Sequence, residues 1–214
     1  MNRFFKYPRT PHLPWSPGAS DDDKRLADTA HFSGRTVVVT EKMDGENTSI
    51  YWDGLHARSL DGRHHPSRDW VKALQARLSP EIPPGWRLCG ENLYARHSIA
   101  YDDLESYFYL FSIWTDENVA LSWAETEEWA ACWGLPTVPV WRIGLWDEKA
   151  MRQLSIETGR QEGYVVRVVD GFSYDDFSVS VAKWVRPSHV GTDGHWMHQA
   201  VTPNRLKSHE RRPL

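Results

Sequence analysis

Short apolar runs recur along the chain, separated by turn-forming residues at intervals too close for a helical protein. Val37-Val38-Val39-Thr40 is one such run and Thr48-Ser49-Ile50-Tyr51-Trp52 the next, with Lys42-Met43-Asp44-Gly45-Glu46-Asn47 between them. β-Branched runs of this length on either side of a glycine-containing turn read as strands. Residues 35–61 are therefore expected to form a strand, a turn, a second strand, the Asp53-Gly54 hairpin turn and a third strand over 55–60. Further strands are expected over 86–94, 107–114, 164–169 and 177–185, the last two joined by an Asp170-Gly171 turn.

Helical periodicity is confined to a few segments. Residues 67–79 carry Trp70, Leu74 and Leu78 at helical spacing, with Ser67 as N-cap. Ser122 and Glu125 form a capping-box pattern ahead of a helix over 122–133, and Gly134 marks its stop. An amphipathic helix is expected over 147–158, and a short one over 24–30 after Asp21-Asp22-Asp23. Pro8, Pro11, Pro14 and Pro17 keep residues 1–20 extended on the surface. Many hairpin strands with irregularly placed helices predict an α+β fold of antiparallel sheets with flanking helices. No linker divides the chain, so one domain over 1–214 is expected: a proline-rich segment to residue 34, a core over 35–190 and a basic tail over 191–214.

Composition adds limits. The 12 tryptophans point to an aromatic-rich core. No run of about 18 apolar residues is present, so no membrane-spanning helix is expected, and the first residues lack the apolar stretch of a signal peptide. Cys89 and Cys132 are isolated, which fits a reducing, cytoplasmic setting without structural zinc. A net charge of -4 argues against non-specific, charge-driven nucleic-acid binding. Local basic clusters remain: Arg58, Arg63, His64, His65 and Arg68, and, after residue 185, Arg186, Arg205, Lys207, Arg211 and Arg212. The plain reading of each is a solvated face. His189, His195 and His198 have no cysteine partner and no finger spacing, so core or nucleic-acid contact is expected in place of zinc ligation.

The candidate chemistry centres on Lys42. A lysine pinned at a strand end can become a nucleophile if its surroundings favour the neutral amine. Alone, Lys-x-Asp-Gly more often marks a solvated lysine beside a turn. Four later segments change that reading: Gly90-Glu91-Asn92-Leu93-Tyr94, Phe108-Tyr109-Leu110-Phe111-Ser112-Ile113, Glu162-Gly163-Tyr164-Val165-Val166-Arg167 and Val181-Ala182-Lys183-Trp184-Val185-Arg186.

In this order the five segments resemble the motif series of the covalent nucleotidyltransferases, and Glu41-Lys42 with Gly45 and Asn47 is most similar to the RNA ligases that seal breaks in RNA. Arg58 matches an arginine of that branch. The resemblance covers roughly residues 37–190. It implies the nucleotidyltransferase fold and an ATP-dependent RNA ligase joining 5′-phosphate and 3′-hydroxyl ends through lysyl-AMP and adenylylated RNA. Lys42 would be the nucleophile, within a catalytic set of Lys42, Asp44, Glu162 and Lys183. Glu41 would read the adenine edge, Glu91 bind the ribose hydroxyls and Phe111 stack on the adenine. Glu162 would orient a magnesium or manganese ion, and Lys183 would contact the α-phosphate. Asn47, Arg58 and Arg186 would act on the RNA. The implied partners are such RNA ends and an end-healing kinase or phosphatase; a monomer is expected.

The resemblance is incomplete. Val181 stands where a second lysine is frequent, leaving Arg186 as the nearby charge. Asp44 stands where some RNA ligases have histidine. The 28 residues after Arg186 are too few for the OB-fold or helical domain of longer relatives. Pyrophosphate orientation would then fall to Arg9-Thr10-Pro11-His12 or to the basic tail. A DNA ligase, a GTP-using capping enzyme and a non-catalytic nucleotide- or RNA-binding subunit of a repair complex remain alternatives.

Overall fold

The computed structural model describes residues 4–60, 64–187 and 201–208. Two antiparallel sheets face each other. The first, with strands in the order β10-β8-β1-β7, is built from β1 (Thr36–Lys42), β7 (Val140–Leu145), β8 (Gly163–Val168) and β10 (Val181–Val185). The second, in the order β3-β2-β4-β5-β6-β9, is built from β2 (Glu46–Tyr51), β3 (Gly54–Ala57), β4 (Arg87–Asn92), β5 (Phe108–Trp114), β6 (Val119–Ala120) and β9 (Phe172–Ser173). The expected antiparallel α+β architecture is observed.

Strand alternation divides each sheet into two faces. On the second sheet, Ile50, Leu88, Phe108, Leu110 and Ile113 face the helices α1 (Asp69–Leu78) and α2 (Trp123–Cys132) and pack with Val71, Leu74, Leu78 and Ala130. On the first sheet, Val37, Val39, Tyr164 and Val166 belong to a core that includes Phe32 and Met151 and is flanked by Trp15 and Trp146. The remaining faces look at each other: Val38 of one and Tyr109 of the other share a core cluster, and Lys42 lies on the same face as Val38. Trp114, Trp123 and Trp133 are buried, and of the described tryptophans only Trp52 is exposed.

Several sequence expectations change. β1 and β2 do not form a hairpin: they belong to different sheets, and residues 43–45 carry the chain from one to the other. Residues 24–29 are not helical, because the N–H of Leu26 donates to the His12 carbonyl at 2.8 Å and the N–H of His12 to the Lys24 carbonyl at 2.7 Å; a short 3-10 turn, Ala30–Phe32, follows. Tertiary pairing there outweighs helix propensity. Ser67 lies in a 3-10 turn, Pro66–Arg68, whose cap is His65; the N-cap of α1 is Arg68 and makes no side-chain cap bond. The helix expected over 147–158 stops early as α3 (Glu148–Arg152), while Leu154 and Ile156 continue against the core without helix. The segment expected as strand over 177–185 begins as a 3-10 turn, Asp175–Val179. The Ser122–Glu125 capping box is formed on both sides, and Gly134 adopts φ +62°.

Arg68 is not on a solvated face. Its guanidinium grips the Glu46 carboxylate through Nε, at 2.9 and 3.1 Å, and through Nη2, and the two side chains are 3% and 11% exposed. Residues 201–208 pack back on the chain, with Asn204 buried and bonded to Leu93 and Tyr101. His189, His195, His198, Arg63, Arg211 and Arg212 lie outside the described residues.

Candidate active site

Cross-strand register assembles the site. Lys183, Val165 and Thr40 form one row across β10, β8 and β1, and Lys42 stands two residues beyond Thr40 on the same face, opposite Gly163. On the facing sheet Asn47 pairs with Glu91, and Glu91 with Tyr109. Phe111 is the extra residue of a β-bulge, because Cys89 pairs with Ser112 and Gly90 with Leu110. The bulge re-aims Phe111, which packs against cores on both sides of the cleft, and the edge of the Tyr7 ring meets it at 5.3 Å between centroids. Phe111 is the one half-buried position on an otherwise buried strand, as Glu91 is on β4.

Lys42 and Glu162 form an ion pair, with side-chain exposures of 25% and 2%. Burial alone would push the Lys42 amine down, but Glu162, Glu91 and Asp44 outweigh it and hold its pKa above the ordinary lysine value. The resting amine is therefore protonated. Glu91 accepts a hydrogen bond from the Gly45 N–H at 3.1 Å. Burial pushes its pKa up to about 8, against the opposing pull of Lys42. Lys183 is shifted the other way, to about 8, by burial first and by Lys42 second. The cleft thus holds two lysines whose pKa values are pulled apart, Lys42 upward by nearby carboxylates and Lys183 downward by burial and by Lys42.

Asp44 anchors the Lys42 turn. Its Oδ2 accepts from the Ser98 N–H at 2.8 Å, the Ser98 hydroxyl at 2.6 Å and the Ile99 N–H at 2.8 Å, while its own N–H donates to the Tyr101 hydroxyl at 2.9 Å. Burial would raise the Asp44 pKa, yet these bonds and Lys42 hold it below the usual range. Gly45 is required for space: a Cβ there would lie 2.5 Å from the Asn92 carbonyl oxygen. Gly163, next to Glu162, is similarly confined, since its Cβ would lie 2.0 Å from the Trp184 carbonyl oxygen.

Arg186 borders the same turn. It donates to the Ser98 hydroxyl at 3.1 Å and to the Thr158 carbonyl, and its N–H donates to the Glu162 carbonyl at 2.9 Å. Arg58 follows β3 and donates its N–H to the Asn47 carbonyl at 3.0 Å. The Asn47 Oδ1 is buried without a hydrogen-bond partner among the described residues. Glu41 falls in the row of Tyr164 and Trp184, on the other face from Lys42, and burial lifts its pKa to about 7. Of the N-terminal pair, Arg9 is exposed and donates to the Asp22 carbonyl, whereas the His12 ring is 1% exposed and bonded to Ser16. Sequence reasoning missed Ser98, Ile99 and Tyr101, which carry no motif and reach Asp44 only through the fold.

A hollow of about 600 Å³ between α1 and Gly134–Pro136 lies on the helix-covered side of the second sheet, away from these groups. Among the described residues no helix is long and apolar enough to cross a membrane.

Known proteins share this arrangement of sheets. An archaeal ATP-dependent RNA ligase matches over 85% of this chain and 48% of its own, with a TM-score of 0.57 and 19% identity. A Naegleria gruberi RNA ligase with pyrophosphate matches over 72% of this chain and 50% of its own, at a TM-score of 0.53 and 20% identity. A mutant of the Naegleria gruberi ligase, with AMP and manganese, matches over 83% of this chain and 60% of its own, at a TM-score of 0.54 and 16% identity. The chain thus spans about half the length of these ligases. No curated protein matches it. The family model for RNA ligase matches residues 35–185. That match takes in every described strand of both sheets, and the chain belongs to the RNA ligase family.

Proposed function

We propose that this protein is an ATP-dependent RNA ligase with a nucleotidyltransferase fold, and that Lys42 is its nucleophile. The observation that carries this reading is the part-buried Lys42–Glu162 pair, with Lys183 on the same face of its sheet and Glu91 acting on Lys42 from the facing sheet. In the first step the Lys42 Nζ bonds to the α-phosphorus of ATP, the bond to the bridging oxygen breaks, pyrophosphate leaves and the amine loses a proton. In the second, an RNA 5′-phosphate oxygen takes the AMP and the P–N bond breaks. In the third, an RNA 3′-hydroxyl attacks the 5′-phosphorus and AMP leaves. Each is an in-line displacement, for which positioning and charge stabilisation are the protein's contribution.

Before the first step the amine must lose the proton that Glu162 favours. Among the described residues no group of three or more His, Cys, Asp or Glu side chains forms a complete metal cage. One buried carboxylate, Glu162, beside Lys42 instead suits a hard cation that retains waters and takes its remaining ligands from phosphate. Magnesium or manganese held there by Glu162 would supply positive charge that favours neutral Lys42 and offsets charge on the phosphate. Glu91 suits the ribose hydroxyls, Phe111 the adenine face and Lys183 the α-phosphate. Asn47 and Arg58, joined through the Arg58 N–H, and Arg186, bonded to Ser98, suit the RNA phosphate. The ligands named for the structural neighbours, ATP, AMP and manganese, are consistent with this assignment.

The test is covalent labelling. The protein is incubated with magnesium and α-phosphate-labelled ATP, GTP or NAD and resolved under denaturing conditions. Label from ATP, lost in Lys42→Ala, is expected; sealing of a nicked duplex with an RNA 3′-hydroxyl should follow. Label from GTP alone, or from none of the three, overturns the reading.

A further inference from the structure

The N-terminal segment is built onto the first sheet at Lys183. The Lys183 N–H donates to the Pro11 carbonyl at 2.9 Å, and the Leu13 N–H donates to the Lys183 carbonyl at 2.8 Å. Two residues on, the Val185 N–H donates to the Ser16 hydroxyl at 2.9 Å, and the Gly18 N–H donates to the Val185 carbonyl at 3.0 Å. The segment then doubles back alongside His12, and its return limb carries Asp23 to 4.0 Å from the Lys183 Nζ. His12 bonds the Ser16 hydroxyl through Nδ1 at 2.8 Å and turns Nε2 toward Asp23 at 3.6 Å. That nitrogen is buried and has no hydrogen-bond partner among the described residues.

This strap answers a charge problem. Lys183 lies in a cleft that already contains Lys42 on the same face. Burial, Lys42 and Arg58 act against its ammonium, while Asp23 and Glu162 favour it. Glu162 is paired with Lys42. Asp23 is the carboxylate turned to Lys183 instead, and it is kept charged: burial opposes this, but the Ser20 N–H and hydroxyl, at 3.0 and 2.8 Å, and Lys183 hold its pKa below the usual value. Burial and the nearby Lys183 hold His12 down to a pKa of about 4, so the neutral ring adds no third cation beside the two lysines.

We infer that Asp23, presented by the N-terminal strap, is a positioning residue for Lys183, holding its ammonium at the cleft wall until a substrate phosphate takes the place of the carboxylate. The inference rests on the proposed role of Lys183 at the α-phosphate, and it assigns work to residues outside the matched span of 35–185.

Two measurements test it on the full chain. The first needs no catalysis: the amines are acetylated with limiting acetic anhydride, without nucleotide or metal, and rates are read by mass spectrometry with exposed Lys6 as internal reference. In Asp23→Asn, Lys183 should react at least about threefold faster than in the wild type, because its counter-charge is gone and more of it is neutral. The second is a double-mutant cycle on single-turnover lysyl-AMP formation at saturating ATP. Asp23→Asn should slow the step by about tenfold, and should add nothing in a Lys183→Met background, since it acts through that lysine. Unchanged Lys183 acetylation overturns the inference, as does a full further loss in the Lys183→Met background, which would mark a general structural defect. If the wild type forms no lysyl-AMP at all, the proposed function fails, and the acetylation rates still decide the place of Asp23.

Discussion

Lys42 and Glu162 stand 120 residues apart in the chain and form a part-buried ion pair where β1 leaves its sheet. The pair keeps a reactive amine protonated and fixed until something neutralises the carboxylate. A free lysine at a surface turn would have neither property.

Glu162→Gln should therefore affect both stability and reactivity. Removing one partner of a fully buried pair costs roughly 3–5 kcal/mol. The cost here should be smaller, roughly 2 kcal/mol, because the glutamine can still accept a hydrogen bond and Glu91 and Asp44 remain near the amine. Urea unfolding checks the stability. Lysyl-AMP formation should drop at least about 100-fold, and a variant as active as wild type would remove Glu162 from the proposed chemistry.

Glu91 makes stability depend on pH. Its folded-state pKa of about 8 lies above the ordinary 4.5, so the folded protein binds the proton more tightly than the unfolded chain. Stability from this group is fully present below the ordinary value and is lost as pH rises through about 8. Glu91→Gln cannot ionise and should be insensitive over that window. Melting temperatures of the nucleotide-free proteins should converge near pH 4.5, with the variant gaining steadily on wild type toward pH 8. Parallel curves would show that Glu91 is not held in this state.

Asp44 should separate shape from charge. Asp44→Ala strands three donors, from Ser98 and Ile99, in a buried site. A loss of about 3 kcal/mol is expected, since each unsatisfied buried group costs roughly 1–3 kcal/mol and Ser98 can partly turn away. Asp44→Asn can still present an oxygen and should lose less than half as much. Because the Asp44 pKa is held low, its contribution is present above the ordinary 3.8 and disappears as pH falls below it. Denaturant melts at neutral and acidic pH read both effects.

Gly45→Ala should disturb the turn by crowding. The added methyl meets the Asn92 carbonyl oxygen and a Leu93 methyl, so the backbone must move. Overpacking of this kind costs roughly 1–3 kcal/mol. Lysyl-AMP formation should fall more than stability does, because Lys42 shifts with the turn; a variant with unchanged single-turnover rate would refute this.

Much of the site was legible because it is carried by short segments on strands. Lys42, Glu91, Glu162 and Lys183 are brought into one cleft by strand register. The sheet change between β1 and β2 was not legible, because an Asp-Gly pair serves a hairpin and a crossing equally well. β7 was missed as well. It is an edge strand whose Val140, Ile143 and Leu145 are exposed, so it lacks the buried alternation that marks a strand. Arg68 read as surface charge because its partner, Glu46, lies 22 residues earlier and reaches it only through tertiary packing. Asp23 read as one of three acids before a helix; its relation to Lys183 exists only because the segment is extended.

The crossing at residues 43–45 has one more consequence. The short peptide that carries the amine also ties one sheet to the other, so the two sheets cannot change their separation without displacing Lys42. The amine's position is therefore set by both sheets at once, by the register of β1 on one side and by the start of β2 on the other.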